Sequence, residues 1–267
     1  MNNKIKSCIL LLGMPVVVYL VFRLLAPERF GSFDSIYILL QQSLIYAITG
    51  CGCYFIIAMG VFDFSVGAMI IMSCLVGCQL SARFGYVGLI AGCIIVGTLL
   101  GLINGFIYSK LRVPSIIVTV GLAIIYECIA FILAGDTINR LGNDIKAFGR
   151  APFNLIAAIV SFAIATYIIK YSRIGIYVRA IGRNETMTKN MGIPVERYKF
   201  YGFVICGFFA GVSALITISR NAAVVPVTGM ASMSRNFQPF MGCFVGIAFK
   251  RYINPVVSIL LSEFMIS

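Results

Sequence analysis

Histidine and tryptophan are both missing from this sequence of 267 residues, and charged side chains make up only 11% of it. Without histidine there is no ordinary proton shuttle near neutral pH and no imidazole to complete a zinc site. Without tryptophan, an interfacial aromatic belt has to be built from tyrosine, and Tyr19, Tyr37, Tyr86 and Tyr171 are placed for it. No Gly-Lys pair occurs, which excludes a phosphate-binding P-loop; a GxSxG elbow and an HExxH helix are missing too. No two carboxylates are spaced as a general acid and base. These absences predict no catalytic residues, no metal site and no cofactor bound by the chain itself.

What is present is apolar. Hydrophobic residues make up 60% of the chain, and its mean hydropathy is +1.00. A soluble chain carries about 25% charged residues, and a soluble fold of this length has nowhere to hide so much apolar surface. A bilayer does, and at about 20 apolar residues per span the chain has room for roughly eight spans. The expected fold is therefore all-α, a polytopic bundle of transmembrane helices forming one domain over residues 1–267. Lys4 and Lys6 precede a run from Cys8 to Leu25 that lacks a small-x-small cleavage site and reads as an uncleaved first span. Further runs cover Ile36–Met59, Phe64–Leu80, Tyr86–Tyr108, Val113–Ala134, Phe153–Ile169, Phe200–Ser219 and Phe237–Phe249. A last run, Val256–Ile266, is too short to cross and reads as a truncated ninth span.

The 21 Lys+Arg against 9 Asp+Glu would raise nucleic-acid binding in a soluble protein. Here they lie in short loops, which points to topology instead. With the N-terminus cytoplasmic, span counting puts Lys110–Arg112 and the strongly basic loop 170–199 inside. The nearly balanced stretch Asp136–Arg150 falls outside. All nine cysteines lie in apolar runs and read as small apolar fillers, not as a disulfide framework. Glycines four apart (Gly97, Gly101 and Gly105; Gly207 and Gly211; Gly242 and Gly246) mark faces where helices approach closely.

Three segments carry chemistry. In the first, Asp63 sits between two apolar runs, bracketed by Gly60 and Gly67. One reading is a helix broken within the membrane beside a solute path; the other is a carboxylate capping the next helix at the cytoplasmic surface. In the second, Asn104 needs an interhelical partner, as structural glue or as pore lining, and Pro114 suits the first turn of a helix. Glu127, further on, faces either a polar interior or the external interface. In the third, Glu185 to Met191 has the pattern of a short amphipathic helix stopped by Gly192, with Pro194 beyond. Exposed Met187 and Met191 would then suit docking into a partner's groove.

At these segments the chain resembles the permease subunits of bacterial ABC importers of the ribose type, a family handling pentoses, other monosaccharides and autoinducer-2. Val61 to Gly67 is similar to its G-(I/V)-D-L-S-V-G motif. Gly101 to Gly121 is similar to its G-L-x-N-G motif with the following I/V-P and T-x-G, and Gly175 to Gly192 to its coupling loop. The likeness runs from about residue 36 to about residue 230. The chain departs from the pattern at Thr186 and Met187, where the motif has two alanines, and in the segment Gly246 to Pro255; it also stops earlier than family members do.

The resemblance implies a substrate pathway near Asp63, Ser65, Gly67, Asn104, Pro114 and Thr119. It also implies ATPase coupling through Glu185, Met187, Met191 and Gly192. The expected partners are an ABC ATPase subunit that uses ATP, an extracytoplasmic solute-binding protein, a second permease copy and membrane lipid, with no nucleic acid. The expected location is the bacterial inner membrane, and the solute a small polar one such as a monosaccharide. Two alternatives remain open: an ion-coupled secondary transporter using Asp63 or Glu127, and a truncated, non-functional permease remnant.

Overall fold

A computed structural model of the chain describes residues 13, 16–21, 23–25, 33–111, 113–135, 139–142, 147–149, 152–249 and 253–267. Lys4, Lys6 and most of the expected first span lie outside these residues; the described part of that run is helical and exposes Leu24 and Leu25. Arg112, Asp136, Asp144, Lys146, Arg150, Lys250 and Arg251 also lie outside them.

The described chain is helical almost throughout. In order it forms α1 (Phe33–Ile57), α2 (Val66–Leu111), α3 (Ser115–Ala134), α4 (Phe153–Tyr171), α5 (Arg173–Ile181), α6 (Glu185–Asn190), α7 (Val195–Asn221), α8 (Ser234–Phe249) and α9 (Pro255–Ile266). Five of them, α1, α2, α3, α4 and α7, are long and apolar enough to cross a membrane. The 46 residues of α2 make two arms, because Gly85 leaves the helical region at φ 59 and ψ −139. The arms fold back on one another: a side chain at Gly88 would strike the carbonyl of Leu80, and one at Gly92 would lie 2.7 Å from the Gly77 Cα. These arms are the separate runs Phe64–Leu80 and Tyr86–Tyr108 read from the sequence.

The run Phe237–Phe249 behaves differently from a full span. Its helix, α8, has 16 residues, about 24 Å at 1.5 Å per residue, short of the ~30 Å hydrocarbon core. It pairs with the 12-residue α9, and both pack on α1. Among the described residues, strands are confined to a ladder of two residues each, β1 (Asn139–Arg140) against β2 (Ala223–Val224), which ties the segment after α3 to the end of α7.

Apolar side chains cover the outside as well as the core, as a bilayer allows, while several strongly polar ones are held inside. Ile117, Ile132, Ile159 and Tyr167 are exposed on α3 and α4, while Asp63, Asn104, Glu127 and Asn236 are buried. Seven of the eight described cysteines are buried and all eight are free, so they act as apolar filling. The most enclosed helix is α7, which packs along α2 and α1.

The contact between α2 and α7 explains the glycine spacing. A Cβ at Gly101 would lie 2.8 Å from the Gly207 Cα, and one at Gly97 would lie 2.7 Å from the Gly211 Cα. The two backbones touch without intervening side chains, the small-residue packing that substitutes for the hydrophobic effect inside lipid. Gly242 and Gly246 instead leave room for the Glu263 and Ile259 side chains of α9.

Gly207→Val is therefore expected to force α2 and α7 apart, at a cost of roughly 3 kcal/mol, and to lower the thermal unfolding midpoint in detergent. Gly121→Ala, where no atom lies within 4 Å of an added Cβ, is expected to leave that midpoint unchanged. Equal behaviour of the two variants would refute the close-packed glycine seam.

Candidate functional site

Gly60, at φ 77, ends α1 in a Schellman motif: Gly60 N–H donates to Ile57 O at 2.9 Å and Val61 N–H to Ile56 O at 3.1 Å. The chain then runs non-helically to Val66, where α2 begins. Asp63 lies within this break and is fully buried. Its Oδ1 accepts the Ser65 backbone N–H at 2.9 Å and the Ser65 hydroxyl at 2.6 Å, a local turn closed just before the helix start. Its Oδ2 accepts Asn104 Nδ2 at 2.9 Å.

The two readings of Asp63 thus combine. It organises the start of α2 as a cap would, but it does so in the interior, and it reaches across to the second arm of the same helix. Asn104 Nδ2 also approaches Ser65 Oγ at 2.6 Å, and Asn104 Oδ1 accepts the Tyr126 hydroxyl at 2.7 Å. A buried polar chain therefore runs from α3 through α2 to the break.

The start of α3 completes the clamp. Pro114 stands immediately before that helix. Ser115 Oγ accepts the Phe62 N–H and Thr119 Oγ1 accepts the Phe64 N–H, each at 3.1 Å. Backbone donors that would lack partners inside lipid are satisfied by hydroxyls one turn apart on α3.

A second break meets the first. Glu127, buried on α3, accepts Met230 N–H through Oε2 and Ser232 N–H through Oε1, both at 2.8 Å. This turns the Glu127 carboxylate into the protein, where it holds a turn that is itself largely exposed. The turn it holds abuts Gly67, where any side chain would collide with the Ser232 carbonyl; that contact is the physical reason for glycine there. Asn236 locks the junction, accepting Gly67 N–H at 2.7 Å and donating to Phe64 O at 2.5 Å.

Asp63, Ser65, Gly67, Asn104, Pro114 and Thr119 are thus brought into one joint. None of the six borders the polar cavity of about 380 Å³ that lies among α1, α2, α7 and α8. Its walls include Gln42 and Thr49 of α1, Ser213, Thr217 and Arg220 of α7, and Arg235 of α8. Thr49 Oγ1 and Ser213 Oγ share a hydrogen bond at 2.9 Å. Its volume is in the range of small-molecule sites. Sequence reasoning missed these residues, and missed Asn236 and Tyr126, because each is an isolated polar side chain near or inside an apolar run.

Glu185, Met187, Met191 and Gly192, for which the resemblance implies coupling, form a separate group on the surface. Asn184 caps α6, accepting Met187 N–H at 2.9 Å. Gly192, at φ 81, terminates it. Met187 and Met191 are 66% and 77% exposed. Glu185 anchors the segment: its Oε1 lies 2.7 Å from Nζ of Lys199, which is buried on α7. A buried ammonium held this way fixes the orientation of α6 against the bundle.

With this geometry in hand, comparison with known proteins gives consistent relatives. The chain is 28% identical to the ribose import permease protein of Haemophilus influenzae, over 81% of this chain and 70% of that one. It is 26% identical to the D-allose transport system permease protein of Escherichia coli, over 80% of this chain and 68% of that one. To the fructose import permease protein of Rhizobium meliloti it is 25% identical, over 80% and 64% respectively. No solved structure matches. The family described as branched-chain amino acid transport system / permease component matches residues 35–265, and this multi-pass membrane protein belongs to it.

Proposed function

We propose that this chain is the membrane-spanning permease subunit of an ATP-binding cassette importer, carrying a small polar solute of the monosaccharide class across the bacterial inner membrane. The observation that carries the reading is the role of α7. Its first turns hold the coupling helix α6 through Lys199 and Glu185, and its last turns present Ser213, Thr217 and Arg220 to the polar cavity. Lys199 and the cavity-lining residues of this one helix are roughly 20–30 Å apart at 1.5 Å per residue. A rigid helix linking a docking element to a solute cavity is the mechanical requirement for driving transport from outside the membrane domain. The names of the relatives support the solute class, since ribose, D-allose and fructose are all monosaccharides.

In this reading the chain hydrolyses nothing. A separate ATPase seats the segment Glu185–Gly192, with Met187 and Met191 in its groove, and consumes the ATP. A solute-binding protein delivers from the opposite face, a second permease copy completes the pathway, and the N-terminus and loop 170–199 face the cytoplasm. Asp63, Ser65, Gly67, Asn104, Pro114 and Thr119 form the joint beside the pathway, where two helix breaks meet and a change of access can pivot. The ion-coupled alternative is less well supported, because the carboxylate oxygens of Asp63 and Glu127 already accept donors from the chain itself.

The deciding experiment is reconstitution of the chain in proteoliposomes with the ATPase and binding protein from its own genome, followed by uptake of labelled ribose. ATP-dependent uptake is expected; uptake driven by a proton or sodium gradient without the ATPase would overturn the proposal. Thr217→Leu, which fills the cavity wall, is expected to cut that uptake at least about tenfold while the unfolding midpoint holds.

Glu185→Ala combined with Gly192→Pro should release the ATPase on co-purification while the permease stays folded, because proline cannot adopt the φ of 81 at Gly192. Retention of the ATPase would exclude the coupling role. Asn104→Leu strips Asp63 Oδ2 of its donor in a dry interior, which should cost roughly 3 kcal/mol. An unfolding midpoint equal to that of the parent protein would show that the joint is not structural.

A further inference from the structure

A second cavity, of about 980 Å³, lies on the α6 side of the bundle and takes no part in the reading above. Lys170 at the end of α4, Arg179 of α5 and Arg183 just after it line the cavity, with Asn254 and Pro255 at the start of α9. The cations are graded from the rim inward, Lys170 and Arg183 being exposed and Arg179 half-buried. None of the three has a carboxylate partner among the described residues, where both ion pairs belong to Lys199.

Deeper in the same lining is Tyr54 of α1, only 1% exposed. Its hydroxyl has no hydrogen-bond partner among the described residues. A buried hydroxyl without a partner costs free energy unless something outside the chain bonds it. An orphaned donor at the base of a cavity ringed by three uncompensated cations fits an anion with several acceptor oxygens.

We propose that this cavity binds a phosphate group, that of an anionic phospholipid headgroup in the leaflet on the α6 side. The lipid is the favoured source because the walls belong to the ends of membrane helices, and basic pockets between such helices take anionic headgroups. Arg179 and Arg183 supply forked donors to the phosphate oxygens, Tyr54 donates from below, and Lys170 holds the rim. The acyl chains run outward along the apolar surface that exposed Ile176 contributes to the same lining. Such a lipid would brace α5, and through it the position of α6, against α1 and α9. The inference is independent of which solute the chain carries.

The test is native mass spectrometry of the purified full chain, read together with thermal unfolding, on addition of phosphatidylglycerol, phosphatidylcholine or inorganic phosphate. One tightly held phosphatidylglycerol and a raised midpoint are expected, with neither effect from phosphatidylcholine. Arg179→Gln with Arg183→Gln should loosen the lipid at least about tenfold, Tyr54→Phe about threefold, and Arg173→Gln, outside the cavity, not at all. Should the double change fail to fold, Lys170→Gln, which alters an exposed side chain, carries the same test.

Equal retention of both lipids, or a double variant that holds phosphatidylglycerol as tightly as the parent, would overturn the proposal. Inorganic phosphate that stabilises as strongly as phosphatidylglycerol and displaces it would overturn the lipid source and leave a free phosphate site. Loss of a co-purifying ATPase in the double variant, with phosphatidylglycerol retention unchanged, would assign these arginines to a protein contact and overturn the proposal as well.

Discussion

Backbone that leaves the helix inside a bilayer has no water to bond, so every freed N–H and C=O must find a partner in the protein. This chain leaves the helix in its interior at Gly60–Ser65, and the second break, a largely exposed turn around Met230–Met233, packs against it at Gly67. The Asp63 carboxylate takes the donors of Ser65 and Asn104, and the Glu127 carboxylate takes two backbone N–H groups. Asn236 bridges the two breaks. Removing any one member leaves a desolvated polar group behind, and that penalty makes the joint a unit instead of a set of independent bonds.

Packing around the joint follows from a second limit: inside lipid, helices gain little from burying apolar surface, so close backbone approach and dispersion take over. The glycines of α2 and α7 allow that approach, and α7 becomes the axis on which the rest is arranged. One end of this helix holds α6 through an ion pair and the other lines the solute-sized cavity. In the proposed function, coupling and solute path are therefore joined along a single helix, with the polar joint to one side of it. The basic cavity with Tyr54 at its base lies on the α6 side, where a bound anion would stiffen α5 and α6 away from the first cavity.

Much of this was legible in the amino-acid order. Apolar run lengths predict where α1, both arms of α2, α3, α4 and α7 form, because each helix satisfies its own backbone and needs only length and hydropathy. The short helix from Glu185, its glycine stop and its exposed methionines follow from local rules of capping and left-handed backbone. The first break was visible as a carboxylate between glycines at Asp63; the second, around Met230–Met233, was not. What those polar residues touch was not legible. Asp63 meets a residue 41 positions away and Asn236 one 172 positions away, and no local pattern encodes such distances. The cavity wall escaped for the same reason, since Thr49, Ser213 and Arg235 come from three helices.

The sequence by itself determined that this is a helical membrane protein, where most of its helices begin and end, and which short helix exposes two methionines, because hydropathy and capping act within a few turns of chain. Only the tertiary structure decided that Asp63 and Asn104 bond each other away from the cavity, that Glu127 turns inward, and that two separate cavities flank α1. Those outcomes depend on which helices touch, and helix contact is settled by steric fit and buried hydrogen bonding between segments far apart in the chain.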